Sequence, residues 1–409
     1  TGLQNTLIGG LAGDALTGNG FSGATRTAGA DYNTAVGMLA LSSDTKGNRS
    51  VAVGYGALEI QNFTTTTDTY NVAVGFNAGQ QTTTGAFNTL IGGLAGDRIT
   101  DGYDNVAVGK GALSTEDRGA KNTAIGHEAL LNQNAGTGVT YNTAVGASAG
   151  ASVSTGVQNT LIGALAGDAL ATNGGDNVAL GFEALSGEQQ TSRNTAIGRG
   201  ALKVQNINTN SNSYNTALGA LAGTNLSTGT INTFVGGLSA GGGVVTGTHN
   251  VGVGAETLYA LTSGADNCIM GFQAGSKITT GAQNVAIGRE ALETEDTGSA
   301  STAVGYLSLR VQNNDALNHN SALGYQSGVA VSSGTGNTLL GSFAGHNVQT
   351  GTNNTIIGFN NGVAATGNTG SILIGSNGTG AGDNTARFQV SAGACTINLD
   401  GSDTSWAAS

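Results

Sequence analysis

The stretch Asn33-Thr-Ala-Val-Gly37 decides the fold, because it recurs along almost the whole chain. Its first position falls at residues 5, 33, 50, 71, 88, 105, 122, 142, 159, 177, 194, 215, 232, 250, 267, 284, 301, 320, 337, 354 and 371, which makes 21 copies. Of the 20 intervals, 13 are 17 residues long, and the longest is 28. Position 1 is Asn in 18 copies and Ser in three (Ser50, Ser301, Ser371), position 4 is Val, Ile, Leu or Met, and position 5 is Gly in all 21. No copy contains Asp, Glu, Lys or Arg, although 10% of the chain is charged, so the box reads as buried. Charges follow just after it (Lys110, Glu128, Arg199, Glu290) or in the succeeding turns (Asp97, Glu116, Asp168, Glu295).

Around the box the chain is rich in Thr, Ser, Asn and Gly, which is turn chemistry. β-Branched residues, Gly and Asn dominate and helix formers are few, so a helical repeat is not expected. A short apolar strand plus a second short segment, joined by polar turns, is one rung of a parallel β-solenoid or β-roll, with equivalent residues stacked at ~4.8 Å. The expected fold is therefore all-β, with about 21 rungs of a 17-residue repeat. Asn33, Asn71, Asn88, Asn105 and Asn122 are expected to form a hydrogen-bonded ladder along the axis. Gly37, Gly75, Gly92, Gly109 and Gly126 are expected to supply either a positive φ at the corner or close approach of another backbone.

A second period lies above the first. Position 9 runs Gly-Leu-Leu-Gly over four copies, as in Gly13, Leu41, Leu58 and Gly79. Insertions Gln61–Tyr70, Gln133–Tyr141 and Gln205–Tyr214 recur with it, so the duplicated unit spans about four rungs. Both faces of the box are apolar, and a strand apolar on both faces needs cover on both sides. Copies of the same chain around a threefold axis supply that cover, which makes a homotrimeric fibre the expectation. Repetition is expected over residues 1–383, followed by a non-repetitive β cap over 384–409.

Composition narrows the function. Of 409 residues 71 are Gly and none is Pro, which removes collagen. With 14 Lys and Arg against 25 Asp and Glu, the net charge of -11 gives no basic footprint for nucleic acid. No apolar run approaches the ~20 residues of a membrane-spanning helix. Cys268 and Cys395 read as two small buried thiols rather than a bridge. Thr1 reads as the start of a fragment or processed chain.

The box Asn-Ser/Thr-x-Ala/Val-Ile/Val-Gly, over residues 5–380, resembles the head repeats of trimeric autotransporter adhesins, which form trimeric left-handed parallel β-rolls. Runs of Asn-Thr-Ala-Val-Gly-x-x-Ala-Leu are also similar to the shafts of bacteriophage tail fibres. The end of the chain, from the alternating stretch Arg387–Val390 through Cys395–Leu399 to Ser409, resembles the segment before an endosialidase-type intramolecular chaperone. That resemblance implies self-cleavage after Ser409 and a removed chaperone domain. It also implies a virion tail fibre that is structural and adhesive rather than enzymatic. Its partners would be itself as a homotrimer, other virion tail proteins and a host cell-surface glycan or protein receptor, with no nucleic acid, membrane insertion or cofactor. A bacterial surface adhesin is the alternative, and a polysaccharide-cleaving tail spike the third reading. Receptor contact is expected on the insertions, the longest being Asp14–Tyr32, and on the cap.

Other patterns carry less. Gly18–Gly23 fits G-x-G-x-x-G, and Gly146–Gly150 and Gly237–Gly241 fit G-x-S-x-G, but glycine is abundant and no strand–turn–helix context surrounds them. His127, His249, His319 and His346 lack metal spacing and read as surface residues. Glu116-Asp117 and Glu293/Glu295/Asp296 are weighed as Ca²⁺ ligands and read as solvated turns. A Thr ladder at position 2, with Thr64–Thr67, invites an ice-binding reading, against which stand the Thr/Val variation and the expected burial of the box.

Overall fold

In the computed structural model, the described residues are 4–17, 21–22, 25–26, 29–136, 138–207, 211–380, 382–390, 393–399 and 407–408. They contain strands and turns and no helix. The chain forms two compact units, Thr1–Ser213 and Tyr214–Ser409. Each is a parallel β-solenoid. Eleven box strands lie in the first unit and ten in the second, so the chain makes about 21 turns.

Each box becomes a three-residue strand at positions 2–4, such as Thr89–Ile91, Val106–Val108 and Thr123–Ile125. Pairing is parallel and strictly in register: Leu90 stands over Ala107, and Ala107 over Ala124. Turn-length variation is absorbed outside the strand. After the insertion at Gln61–Tyr70, Ala52 still faces Ala73. A second ladder is strand only beside some insertions, as Gly47–Asn48 with Thr67–Asp68 and Gly119–Ala120 with Gly138–Val139.

Inner columns make the core, among them position 12 where it is aliphatic (Ile99, Val153). Position 3 (Ala107, Ala124), position 8 (Ala112, Ala129) and position 9 (Leu113, Leu130) are fully buried. The Gly-Leu-Leu-Gly period at position 9 follows from volume. Where position 3 is Leu instead of Ala, position 9 is emptied: a Cβ on Gly96 would lie 2.7 Å from Leu90 Cδ2. The turn before is emptied too, since a Cβ on Gly79 would lie 2.6 Å from Leu90 Cδ1 and 3.0 Å from Leu58 Cδ2. One leucine thus fills two glycine vacancies and keeps the interior close-packed.

In the second unit, Thr385–Val390 pairs parallel with Ile372–Gly375 and then antiparallel with Gly393–Asn398. The proposed cleavage end, Ser409, and most of Gly18–Gly23 lie outside the described residues.

Candidate functional site: ladder, outward face and flank

Asn33, Asn71, Asn88, Asn105 and Asn122 are buried, and all but Asn122, whose Nδ2 has no partner among the described residues, bond backbone on two levels. Asn105 Oδ1 accepts the N–H of Asn122 at 3.0 Å, while its Nδ2 donates to Gly119 O at 3.0 Å. Asn88 does the same with Asn105 N–H at 3.0 Å and Gly102 O at 2.9 Å. Asn33 takes the N–H of Ser50 at 2.8 Å, and Asn71 takes that of Asn88 at 2.9 Å. Asn122 Oδ1 takes the N–H of Asn142 at 3.1 Å across an insertion. The amide spans from its own turn to the next, so the ladder runs mainly through side chain to main chain.

The box glycine meets both demands left open by the sequence. Gly37, Gly75, Gly92, Gly109 and Gly126 have φ between 134° and 143°. A Cβ on Gly92 would also lie 2.5 Å from the carbonyl oxygen of Gly109 one turn on. Left-handed backbone and close approach coincide at this corner, so only Gly fits.

Positions 2 and 4 correct the expectation of a wholly buried box. Strand side chains alternate, so positions 2 and 4 point away from the core. In Val106–Val108 the flanking valines are half-buried around a buried Ala107. Larger residues in these columns are exposed: Leu180 by 42% in the first unit, and Leu323 by 51% in the second. Each unit thus presents an outward sheet face of Thr, Val, Ile and Leu with no charged side chain in the boxes. In the second unit a shallow groove of about 180 Å³ lies on it, lined by Thr302, Leu323 and Leu340. In the turns that follow the boxes run aromatic stacks, Tyr55–Phe76 at 5.4 Å in the first unit and Tyr306–Tyr325 at 5.2 Å in the second.

The same alternation corrects two further readings. Cys268 sits at position 2 and is exposed, and Cys395 is half-buried; both thiols are free. The Thr column at position 2 is likewise half-exposed or exposed rather than buried.

The acidic turns are corrected more sharply. Glu116 and Glu295 are fully buried, not solvated, whereas Asp117 and Asp296 are only half-buried. Adjacent carboxylates therefore point opposite ways and do not converge on one ion. Among the described residues, no group of three or more His, Cys, Asp or Glu side chains is placed to hold a metal.

Sequence reasoning missed what the buried acids do. Asp44, Glu116, Glu188 and Glu295 occupy position 12, and 17 residues later a buried Gln follows each: Gln61, Gln133, Gln205 and Gln312. Three of these glutamines donate to the acid, at 2.6 Å for Asp44, 3.0 Å for Glu188 and 2.8 Å for Glu295. The acid also accepts a backbone N–H three residues on, from Gly47, Gly119, Thr191 or Gly298. Gln61, Gln133 and Gln312 in turn accept from the Asn of the box after the insertion, Asn71 at 2.9 Å, Asn142 at 2.7 Å and Asn320 at 2.8 Å. Burial raises the Glu116 and Glu295 carboxyls above the usual range, against the opposing pull of these donors. The recurrent 17-residue spacing of acid and Gln was the available signal.

The remaining motifs lack catalytic surroundings. Ser239 is buried and bonded to Thr257 at 2.8 Å. His127, His249 and His319 are exposed, and His346 is half-buried on a turn. No helix among the described residues is long and apolar enough to cross a membrane. Comparisons with protein-family models, curated proteins and solved structures find no match for the chain.

Proposed function

We propose that the chain is a structural and adhesive fibre subunit, a bacteriophage tail-fibre shaft in which three copies pack their outward faces around a common axis. The observation that carries this reading is the uncharged aliphatic face repeated on the turns of each unit. Contiguous exposed apolar surface on this scale marks an interaction site. A second copy has the same spacing from turn to turn and so meets every rung alike, and threefold symmetry follows the resemblance to trimeric adhesin heads and fibre shafts. The fibre presents its insertions to a host surface and carries no active site of its own.

Mass photometry tests the assembly: the expected particle is three times the 40.0 kDa chain. Replacing Leu323 and Leu340 with Asp should dissociate it while leaving the inner columns intact. A stable monomer of the unaltered chain overturns the reading. Neighbouring genes for other virion tail proteins, or their absence, test the phage assignment separately.

A further inference from the structure

On the flank of the first unit lies a polar cleft of about 410 Å³ lined by Gln81, Arg98, Thr100, Thr115, Asp117 and Asn134, the last at the start of an insertion. These residues occupy positions 11 and 13 of four successive turns. Its size falls in the ~300–1,000 Å³ span of small-molecule sites. The two threonines form its floor and are held down: Thr115 Oγ1 donates to Leu131 O at 2.6 Å, and Thr100 Oγ1 donates to Asp117 O at 3.2 Å and to the Asp117 carboxylate. The walls are left open. Gln81, Arg98 and Asn134 are exposed, and among the described residues their side chains make no hydrogen bond or ion pair.

Five of the six positions recur in kind, with Ala260 in the place of Gln81. In the second unit Lys277, Thr279, Thr294, Asp296 and Asn313 stand 179 residues after Arg98, Thr100, Thr115, Asp117 and Asn134. Thr279 donates to Asp296 O at 3.0 Å and Thr294 to Arg310 O at 3.0 Å, repeating the floor bonds. Lys277 and Asn313 are again exposed.

We infer that these two clefts bind neutral saccharides. One cation and one carboxylate share each cleft, so a free anion or cation meets one repulsive group. No apolar wall is present to hold a hydrophobic ligand. A sugar ring offers adjacent hydroxyls that both donate and accept. That suits a carboxylate acceptor, carboxamides that do both, and a cationic donor set in one shallow surface. Without an aromatic platform in the lining, each site is weak. Two sites per chain, multiplied by assembly, convert weak binding into avidity. The inference deepens the attachment reading and, in its avidity, rests on it.

The experiment is saturation-transfer NMR on the full chain with gluco-, galacto- and manno-configured disaccharides at millimolar concentration, and mass photometry on the same sample. Transfer to at least one disaccharide is expected. It should fall by about half in Arg98→Ala/Asp117→Ala and in Lys277→Ala/Asp296→Ala, and vanish when all four changes are combined, two equal sites being additive. Asp117→Asn, which keeps the Thr100 bond, should weaken the first site without altering the melting temperature. No transfer from any of the three sugars, or undiminished transfer in the fourfold variant, overturns the inference. A trimer that binds no sugar removes the clefts alone. A monomer that binds sugar removes the trimer and leaves the clefts standing.

Discussion

Plain turns and turns that carry an insertion share one ladder but hold it differently. Between Asn88 and Asn105 the spacing is 17 residues, and position 12 is Ile99, fully buried among aliphatic neighbours. Between Ser50 and Asn71 the spacing is 21, and position 12 is Gln61, which links Asp44 in the turn before to Asn71 in the box after. A buried carboxylate and carboxamide are costly to desolvate unless fully bonded. They stand where the inserted chain leaves the regular turn. An aliphatic residue there would fill space but would not specify which backbone groups meet after the excursion. The polar pair does specify it, and Val51 pairs with Val72 in register despite the extra residues. Insertions can thus vary outside while the strand column continues.

The largest expected effect tests what the two kinds of turn have in common. Gly92→Ala in a plain turn combines a φ of 134° with a Cβ placed 2.5 Å from Gly109 O. Gly75→Ala, in the box after an insertion, has a φ of 143° and meets the carbonyl of Gly92 in the same way. Each should cost about 3 kcal/mol or more, through strain and overpacking together. Thermal unfolding of the two variants should show equal losses. A tolerated alanine at either site would mean that the rungs are not locked at this corner.

Next in size is a difference between the two kinds. Asn105→Ala leaves the Asn122 N–H and the Gly119 carbonyl without their partner. Asn71→Ala leaves the Asn88 N–H and the Gly85 carbonyl, and in addition orphans Gln61 Oε1. Each buried orphan costs ~1–3 kcal/mol, so Asn71→Ala should be the more destabilising by at least ~1 kcal/mol. Denaturant unfolding of both variants measures it. Equal losses would show that the acid–Gln–Asn link carries no energy of its own.

The repeat, its register and the all-β architecture were legible because a box of fixed length leaves the same arithmetic in every copy. The Leu90/Gly79/Gly96 exchange was visible as a period, though its cause, one side chain filling two vacancies, needed coordinates. Burial was legible in part. Absence of charge marked the box as buried, with one face covered by other copies, and Leu180 and Leu323 are uncharged and exposed in the single chain, because a strand has two faces and this solenoid covers one. Glu116 failed in the opposite direction. Charge was taken as exposure, while the Gly119 N–H donates to its carboxylate in the interior. The flank clefts escaped notice because their residues come from separate turns, where only the column positions 11 and 13 bring them together.

The smallest effect concerns protons at the inserted turns. Burial raises the folded-state Glu116 carboxyl above its unfolded value, opposed by the N–H groups of Gly119, Arg118 and Asp117 and by Gln133. Glu295 is raised by burial as well, opposed by Gln312, Gly298 and Asn314 and assisted by the negative charge of Asp296. A group whose folded pKa is raised contributes stability that is fully present below its unfolded pKa, and loses it as pH rises through the folded pKa. Both glutamates should therefore make the protein less stable as pH climbs above the ordinary carboxylate range. Net charge confounds the raw trend, since the chain carries -11 near neutrality and repels itself increasingly above its pI. The slope in a variant separates the two. Glu116→Gln with Glu295→Gln removes the titrating groups, and its melting temperature should fall less steeply between about pH 5 and pH 8, the span above the ordinary carboxylate range. The absolute stability of the variant is not the readout, because a second carboxamide facing Gln133 alters the bonding. Matching slopes would mean that these carboxyls titrate alike in the folded and unfolded chain. The acid–Gln link would then distinguish inserted from plain turns by geometry alone.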